Sequence, residues 1–269
     1  MELLNIDTEK TADIMIGFIQ DRFSQAGFEN AVLGLSGGID SSTTAYLAQK
    51  ALGAGNVYGI NMPYRSSSPE SANDAKLVAD ELGINYITVE ITDMVDSYFK
   101  MFPDASRLRR GNRMARERMC ILYDQSAALS GLVIGSGNKT ELLLGYCTLH
   151  GDMACAIDPI GDLYKTQLRH VARYLGVPDR IIEKAPTADL WPGQSDESEL
   201  GFTYEKVDKI LYLMVEKKCN VQELEKMGFE KEFIQEVTKK MMSSHHKRCP
   251  TPVPKVNFSL MDEMELERV

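Results

Sequence analysis

Apolar residues recur at helical spacing near the start of the chain, where Ile14 pairs with Phe18 and Met15 with Ile19. Asp7 stands where an N-cap belongs and Gly27 where a helix stops, so an amphipathic helix is expected between them. Ala31 to Leu35 is a short apolar run that leads straight into Ser36-Gly37-Gly38, and a second helical stretch ends near Gly53. That order reads as strand, glycine turn, helix. The unit recurs: Val57 to Met62 is strand-like, and Ser68 with Pro69 caps a helix that uses Ala72, Ala75, Ala79 and Leu82 before Gly83. Tyr86 to Ile91 and Leu132 to Ile134 supply two more apolar strands, with an Arg-rich helix from about Asn112 to Ser130 between them.

Strands alternating with helices predict an α/β fold, a Rossmann-like doubly wound parallel sheet with helices on both faces. After Leu175 the alternation stops. A loop of Pro, Gly, Asp, Glu and Ser from Pro186 to Glu199 precedes Val207, Ile210, Leu211 and Met214 at helical spacing. The expectation there is a mobile lid followed by C-terminal helices. One domain is expected over residues 1–249, with a Pro-rich and then charged tail over 250–269 that hugs the surface or frays.

At 269 residues, 43% hydrophobic and 26% charged, the chain can bury one large core. No apolar run approaches the ~18 residues of a membrane span, and Met1 to Lys10 has no basic region followed by an apolar stretch, so a cytoplasmic protein away from membranes is expected. The five cysteines form no C-x-x-C pair, which removes the usual zinc, iron–sulfur and thiol-exchange patterns. A formal charge of −9 gives no general attraction for nucleic acid, so small substrates are favoured.

The segment with most chemical content is Ser36-Gly37-Gly38-Ile39-Asp40-Ser41-Ser42, placed where a parallel strand ends and a helix begins. Ligands of open α/β sheets bind at such ends. Glycines let backbone N–H groups approach an anion, hydroxyls add donors, and the helix N-terminus contributes partial positive charge. The turn is neither a Walker A loop nor the G-x-G-x-x-G fingerprint. Asp40 would repel a bare phosphate, so its place in an anion cradle implies a divalent cation between carboxylate and phosphate, which we read as magnesium.

This motif resembles the signature of N-type ATP pyrophosphatases, which cleave ATP between its α- and β-phosphates to adenylate a substrate. Further segments resemble the ammonia-dependent NAD synthetases in particular: Gly111 to Met119, Gly135 to Glu141, Gly151-Asp152, Gly161 to Thr166, Pro186 to Leu190 and His246-Lys247-Arg248. The resemblance implies an ATP site formed by Gly34, Leu35, Ser36, Gly37, Gly38, Ile39, Asp40, Ser41, Ser42, Ser136, Lys165 and Thr187. It implies a magnesium site at Asp40 and Glu141, and catalytic roles for Asp40, Asp152 and Lys165. Deamido-NAD would be held by Arg116, Leu149, His150, Ala156, Asp158, His246 and Lys247, near the two-fold interface of a homodimer. Arg118 is the neighbour to test beside Arg116.

The activity so implied is amidation. Mg-ATP adenylates the nicotinate carboxylate of deamido-NAD, releasing pyrophosphate, and free ammonia then displaces AMP. Asp152 would attract ammonium and take up its proton. The chain departs from the family at Leu149, where lysine is usual, and at Ala156, where aspartate is usual. Asp158, two residues along an extended segment, and His150 are the expected replacements. Two rival readings share the same turn: another aminating ligase of the superfamily, and an ATP-binding module without turnover.

Overall fold

The computed structural model describes residues 2–187, 189–191 and 193–254. Helix α1 (Thr8–Ala26) begins at Asp7, whose side chain accepts from the Lys10 N–H, and ends at Gly27 in the left-handed region with φ 72°. Strand β1 (Asn30–Gly34) then enters the Ser36 turn, and α2 (Ile39–Leu52) leaves it. Strand β2 (Val57–Asn61), helix α3 (Pro69–Leu82) and strand β3 (Asn85–Thr88) repeat the unit, with Ser68 capping α3. Helices α4 (Thr92–Phe99) and α5 (Arg107–Ala128) lead to β4 (Gly131–Ile134).

The four strands form one parallel sheet in the order β3-β2-β1-β4. Register pairs Ala31 with Val57 on one side and Leu132 on the other. Side chains alternate across the pleat, so Ala31 and Leu33 enter the core under α1, α2, α3 and α7 (Lys165–Leu175), while Val32 enters the core under α4 and α5. Both faces are therefore covered, which explains why the strands read as continuous apolar runs.

The chain leaves β1 toward β2 and β3 on one side and reaches β4 on the other, so the order reverses between β1 and β4. A crevice opens at such a point beyond the carboxyl ends of the strands. Helix α6 (Lys139–Leu144) follows β4 there. Beyond α7 lie the short helices α8 (Asp179–Ile182) and α9 (Asp196–Leu200), then α10 (Tyr204–Val215), α11 (Val221–Lys226) and α12 (Lys231–Ser243). These C-terminal helices bury Tyr204, Val207, Ile210 and Leu211 in a core of their own, joined to Leu144 and Tyr164 beside the crevice.

Three differences from expectation have local causes. Helix α5 starts at Arg107 because Ser106 caps it, and its first turns are too polar to show apolar periodicity. Strand β3 stops at Thr88, since Ile91 already introduces α4. The loop expected to run to Glu199 becomes helical at Asp196. Residues 250–254 carry no regular structure, and the expectation for the rest of the tail lies outside the described residues. Among the described residues no helix is long and apolar enough to cross a membrane.

Candidate active site

A cavity of about 550 Å³ occupies the crevice, with Ser36, Gly38, Asp40, Ser41, Glu141 and Lys165 on its floor. Gly37 adopts φ 79°, and a Cβ there would lie 2.1 Å from the Ser71 carbonyl oxygen, so the turn is pressed against α3 and only glycine fits. The hydroxyls of Ser36 and Ser41 meet at 3.0 Å, and Ser41 Oγ also accepts the Ser36 N–H at 3.2 Å. The turn is thus braced by its own serines, Ser36 Oγ also accepting the Gly38 N–H at 3.3 Å. Gly34, Leu35 and Ile39 line the same floor, whereas Gly37 and Ser42 do not, Ser42 being fully buried with its hydroxyl unpartnered among the described residues.

Asp40 stands in the first turn of α2, and Glu141 in that of α6, on the two sides of the crevice. Lys165, the first residue of α7, places its ammonium against Asp40 and 3.2 Å from Glu141 Oε1. Burial alone would lower the Lys165 ammonium, but the two carboxylates outweigh it and hold it above its ordinary value. One positive charge cannot balance both. Burial pushes the Glu141 carboxyl up to about 8, Lys165 pulling against this and Asp40 adding to it.

The donor set fits a divalent cation: Asp40 and Glu141 each place a carboxyl oxygen against Lys165 Nζ, and a cation there would favour the ionised form of Glu141. Among the described residues no cluster of three or more His, Cys, Asp or Glu could hold a metal alone. A cation bound through Asp40 and Glu141 would need water or phosphate oxygens to complete its shell, which is how magnesium commonly binds.

Asn138 orients this centre and was not expected as a site residue. Fully buried, it caps α6 through Oδ1, which accepts the Glu141 N–H at 3.0 Å, and so turns Nδ2 toward Asp40. A second network sits beneath Lys165. Asp208 of α10 accepts the Thr140 hydroxyl at 2.6 Å and the Thr166 N–H at 2.8 Å, while Thr140 Oγ1 accepts the Lys165 N–H at 3.0 Å. The signal for Asp208 was a carboxylate on the apolar face that carries Tyr204, Val207 and Leu211.

The other expected residues divide into two groups. Ser136, Thr187, Asp152 and Lys247 line the cavity, as does Arg118 from the α5 face. Asp152 accepts the Thr148 N–H at 2.8 Å; its edge is open to the cavity, yet dense surroundings raise its carboxyl above the usual range. Lys247 donates to the carbonyls of Gly145 and Cys147. Arg118 donates to the Met62 carbonyl at 3.0 Å, and burial lowers its guanidinium to about 10, still charged at neutral pH.

Arg116, Leu149, His150, Ala156, Asp158 and His246 do not line the cavity of the single chain. Arg116 is exposed and donates to the Leu149 carbonyl at 3.2 Å. His150 is exposed with φ 61°, and Ala156 is exposed beyond the β4 edge. Asp158 packs beneath the Gly135–Gly137 turn: a Cβ on Gly137 would lie 2.9 Å from its Oδ2. His246 is exposed and contacts the Ser243 carbonyl.

In the segment after Pro186, the described residues Thr187, Asp189, Leu190, Trp191, Gln194 and Asp196 line the cavity. Asp189 accepts the Ser68 N–H at 2.9 Å, and Leu190 and Trp191 rest on Gly111, where a Cβ would meet Leu190 at 3.0 Å. Ala188 and Pro192 of this segment lie outside the described residues. Near its end Asp196 accepts from the hydroxyls of Tyr146 and Tyr204, at 3.0 and 3.3 Å.

The sequence profile of the family described as NAD synthase matches residues 12–251. The chain belongs to that family. Within it, the chain is 53% identical to the NH(3)-dependent NAD(+) synthetase of Trichlorobacter lovleyi, with 97% of this chain and 96% of that protein covered. It is 48% identical to the protein of the same name from Fusobacterium nucleatum, covering 95% and 99%. Among solved structures, an NMN synthetase from Francisella tularensis superposes with a TM-score of 0.82 at 30% identity, covering 93% and 99%. An NH3-dependent NAD synthetase from Campylobacter jejuni, in complex with the nitrate ion, superposes with a TM-score of 0.79 at 32% identity, covering 93% and 100%.

Proposed function

We propose that this NAD synthase family member is an ammonia-dependent NAD synthetase, a ligase that converts the nicotinate carboxylate of deamido-NAD into an amide at the expense of ATP. The observation that carries this reading is the convergence of Asp40 and Glu141 on Lys165 at the mouth of the Ser36 turn. An anion cradle beside a pair of carboxyl groups suits a triphosphate accompanied by magnesium.

A carboxylate cannot lose oxide to ammonia, so its oxygen must first become part of a better leaving group. The nicotinate oxygen attacks the α-phosphorus, the bond to the bridging oxygen breaks, and pyrophosphate departs with the electron pair. The turn's N–H groups and Lys165 hold the phosphates and offset the charge that grows on them. Bound at Asp40 and Glu141, magnesium would supply further positive charge to the phosphate oxygens. Ammonia next attacks the acyl carbon and AMP leaves with one former carboxylate oxygen. Asp152 faces the cavity with a raised carboxyl and takes the proton that nitrogen sheds. Ser136 and Thr187 complete the nucleotide contacts. The segment from Pro186 to Glu199 acts as the lid that keeps water from the activated acid.

Lys247 reaches the substrate from within one chain, but Arg116, Leu149, His150, Ala156 and His246 need a second chain to enclose a ligand over them. We therefore read the Arg116 face as the two-fold surface of a homodimer, with Asp158 supporting the pocket from beneath the Gly135–Gly137 turn. A cytoplasmic setting, where ATP and ammonia are both at hand, follows from the same reading.

The structural neighbour described as an NMN synthetase gives one competing substrate, nicotinate mononucleotide. The higher identity to proteins described as NAD(+) synthetases favours the dinucleotide. Mass analysis of products from ATP, magnesium and ammonium with each acid tests both. NAD, AMP and pyrophosphate in equal amounts are expected from deamido-NAD, at a kcat/KM at least tenfold above that for the mononucleotide. Preference for the mononucleotide, or no AMP with either acid, would overturn the assignment.

A further inference from the structure

Lys184 stands just before the lid segment and lines the cavity beside Ser71, on the α3 side of the phosphate turn and apart from Lys165. Its ammonium donates to Asp74 Oδ2 at 2.9 Å and to Ser71 Oγ at 3.2 Å. Both partners belong to the turn of α3 against which Gly37 is pressed: a Cβ on Gly37 would sit 2.1 Å from the Ser71 carbonyl and 2.9 Å from Asp74 Cβ. The ammonium is thus tethered to the outer wall of the turn.

Charge explains what the tether leaves over. Asp74 is buried, its side chain only 3% exposed, and it also holds Arg180 through Oδ1. One carboxylate therefore carries two cations, and the Lys184 end of the cluster, 20% exposed, faces the cavity with a surplus positive charge. At Lys165 the balance is reversed, with two carboxylates on one cation. The turn is flanked by a carboxyl-rich site on one side and a cation-rich one on the other. The first suits a metal; the second suits the anion itself.

We propose that Lys184 is a second phosphate-binding cation, which donates hydrogen bonds to the outer phosphates of ATP and to pyrophosphate as it departs. This rests on ATP lying in the Ser36 turn as proposed above. No proton moves at Lys184: the electron pair of the broken bond stays on the leaving oxygen, and the ammonium stabilises the resulting anion. Asp74 holds the long side chain in place, so little of its ordering remains to be lost on anion binding.

Inhibition of the full-length enzyme by added magnesium pyrophosphate, competing with ATP, reads the contact directly. Lys184→Met is expected to raise the inhibition constant at least tenfold, with KM for deamido-NAD within twofold of wild type and Lys184→Arg recovering most of the loss. Asp74→Asn breaks the same ion pair but retains the ammonium, so its loss should be no more than a third of that in Lys184→Met. Equal losses would assign Lys184 a purely structural role and overturn the proposal, as would wild-type inhibition in Lys184→Met. If that variant fails to fold, reductive methylation of wild type decides: labelling of Lys184 slows with magnesium pyrophosphate under the proposal and is unchanged without it. Wild type that forms no AMP with deamido-NAD would instead sink the underlying assignment.

Discussion

Asn138 donates to Asp40 at 2.8 Å across the crevice, joining the N-terminus of the helix after β4 to the first turn of the helix after β1. The two strands are direct neighbours, so one buried amide fixes the spacing of both halves of the anion site. Its orientation is determined, since Oδ1 is already engaged by the Glu141 N–H. Asn138→Ala removes the tether and leaves that N–H without its cap. We expect a loss of about 1–3 kcal/mol in stability and a fall in kcat of roughly tenfold to a hundredfold, as positioning losses give. Denaturant unfolding with steady-state kinetics checks both; full activity in a destabilised variant would remove Asn138 from the positioning role.

Lys165→Met leaves Asp40 and Glu141 buried without their shared cation. Breaking such a cluster costs about 3–5 kcal/mol, and adenylation should become undetectable. Magnesium is expected to raise the melting temperature of the variant more than that of wild type, because Lys165 no longer competes for the carboxylates. Thermal unfolding with and without magnesium measures this, and equal shifts in the two proteins would argue against a metal at Asp40 and Glu141.

Asp208 connects the C-terminal helices to Lys165 through Thr140, all three buried. Asp208→Asn presents an amide where two donors need acceptors, with an expected cost of about 1–3 kcal/mol. If Asp208 acts through Thr140, the effects of Asp208→Asn and Thr140→Val on kcat should be less than additive. A double-mutant cycle tests the coupling, and strict additivity would break the proposed path.

Asp158 gives stability a pH signature. Burial pushes its carboxyl up to about 7, and Oδ1 has no hydrogen-bond partner among the described residues. In the unfolded chain the group titrates near ~3.9. The folded chain holds this proton more tightly, so the contribution of Asp158 is most favourable below about 4 and declines as pH rises to about 7. Asp158→Asn should match wild type near pH 4 and exceed it above pH 7, by a few kcal/mol at most on the order set by the shift. A stability difference that does not vary with pH would contradict this.

The sequence was most legible where chemistry and capping coincide. Asp7, Ser68, Gly27 and Gly83 end their helices where the pattern placed them, because each satisfies backbone groups a helix leaves open. Asp40 was read from its motif at a strand end, and Glu141 and Lys165 with the help of resemblance; the structure brings the three side chains together. Asn138 was not legible, since Asp40 is distant in sequence and only the fold brings the two together, and Asp208 left no more than a carboxylate on an apolar helix face. Asp74 showed a weak sign, a carboxylate on the same helix face as Ala75, Val78 and Ala79. The Arg116 group was read from resemblance alone, and a single chain leaves it outside the cavity. Asp158 shows the limit of reading a contact from spacing: only the fold brings it under the Gly135–Gly137 turn, where a Cβ on Gly137 would lie 2.9 Å from its Oδ2.

The central claim is that an acid oxygen attacks the α-phosphorus of ATP held in the Ser36 turn. Deamido-NAD labelled with oxygen-18 in its carboxylate, incubated with ATP, magnesium and ammonium, tests it in one measurement. Mass analysis should find one labelled oxygen in AMP and none in pyrophosphate. Unlabelled AMP, or label in phosphate accompanied by ADP, would contradict the account.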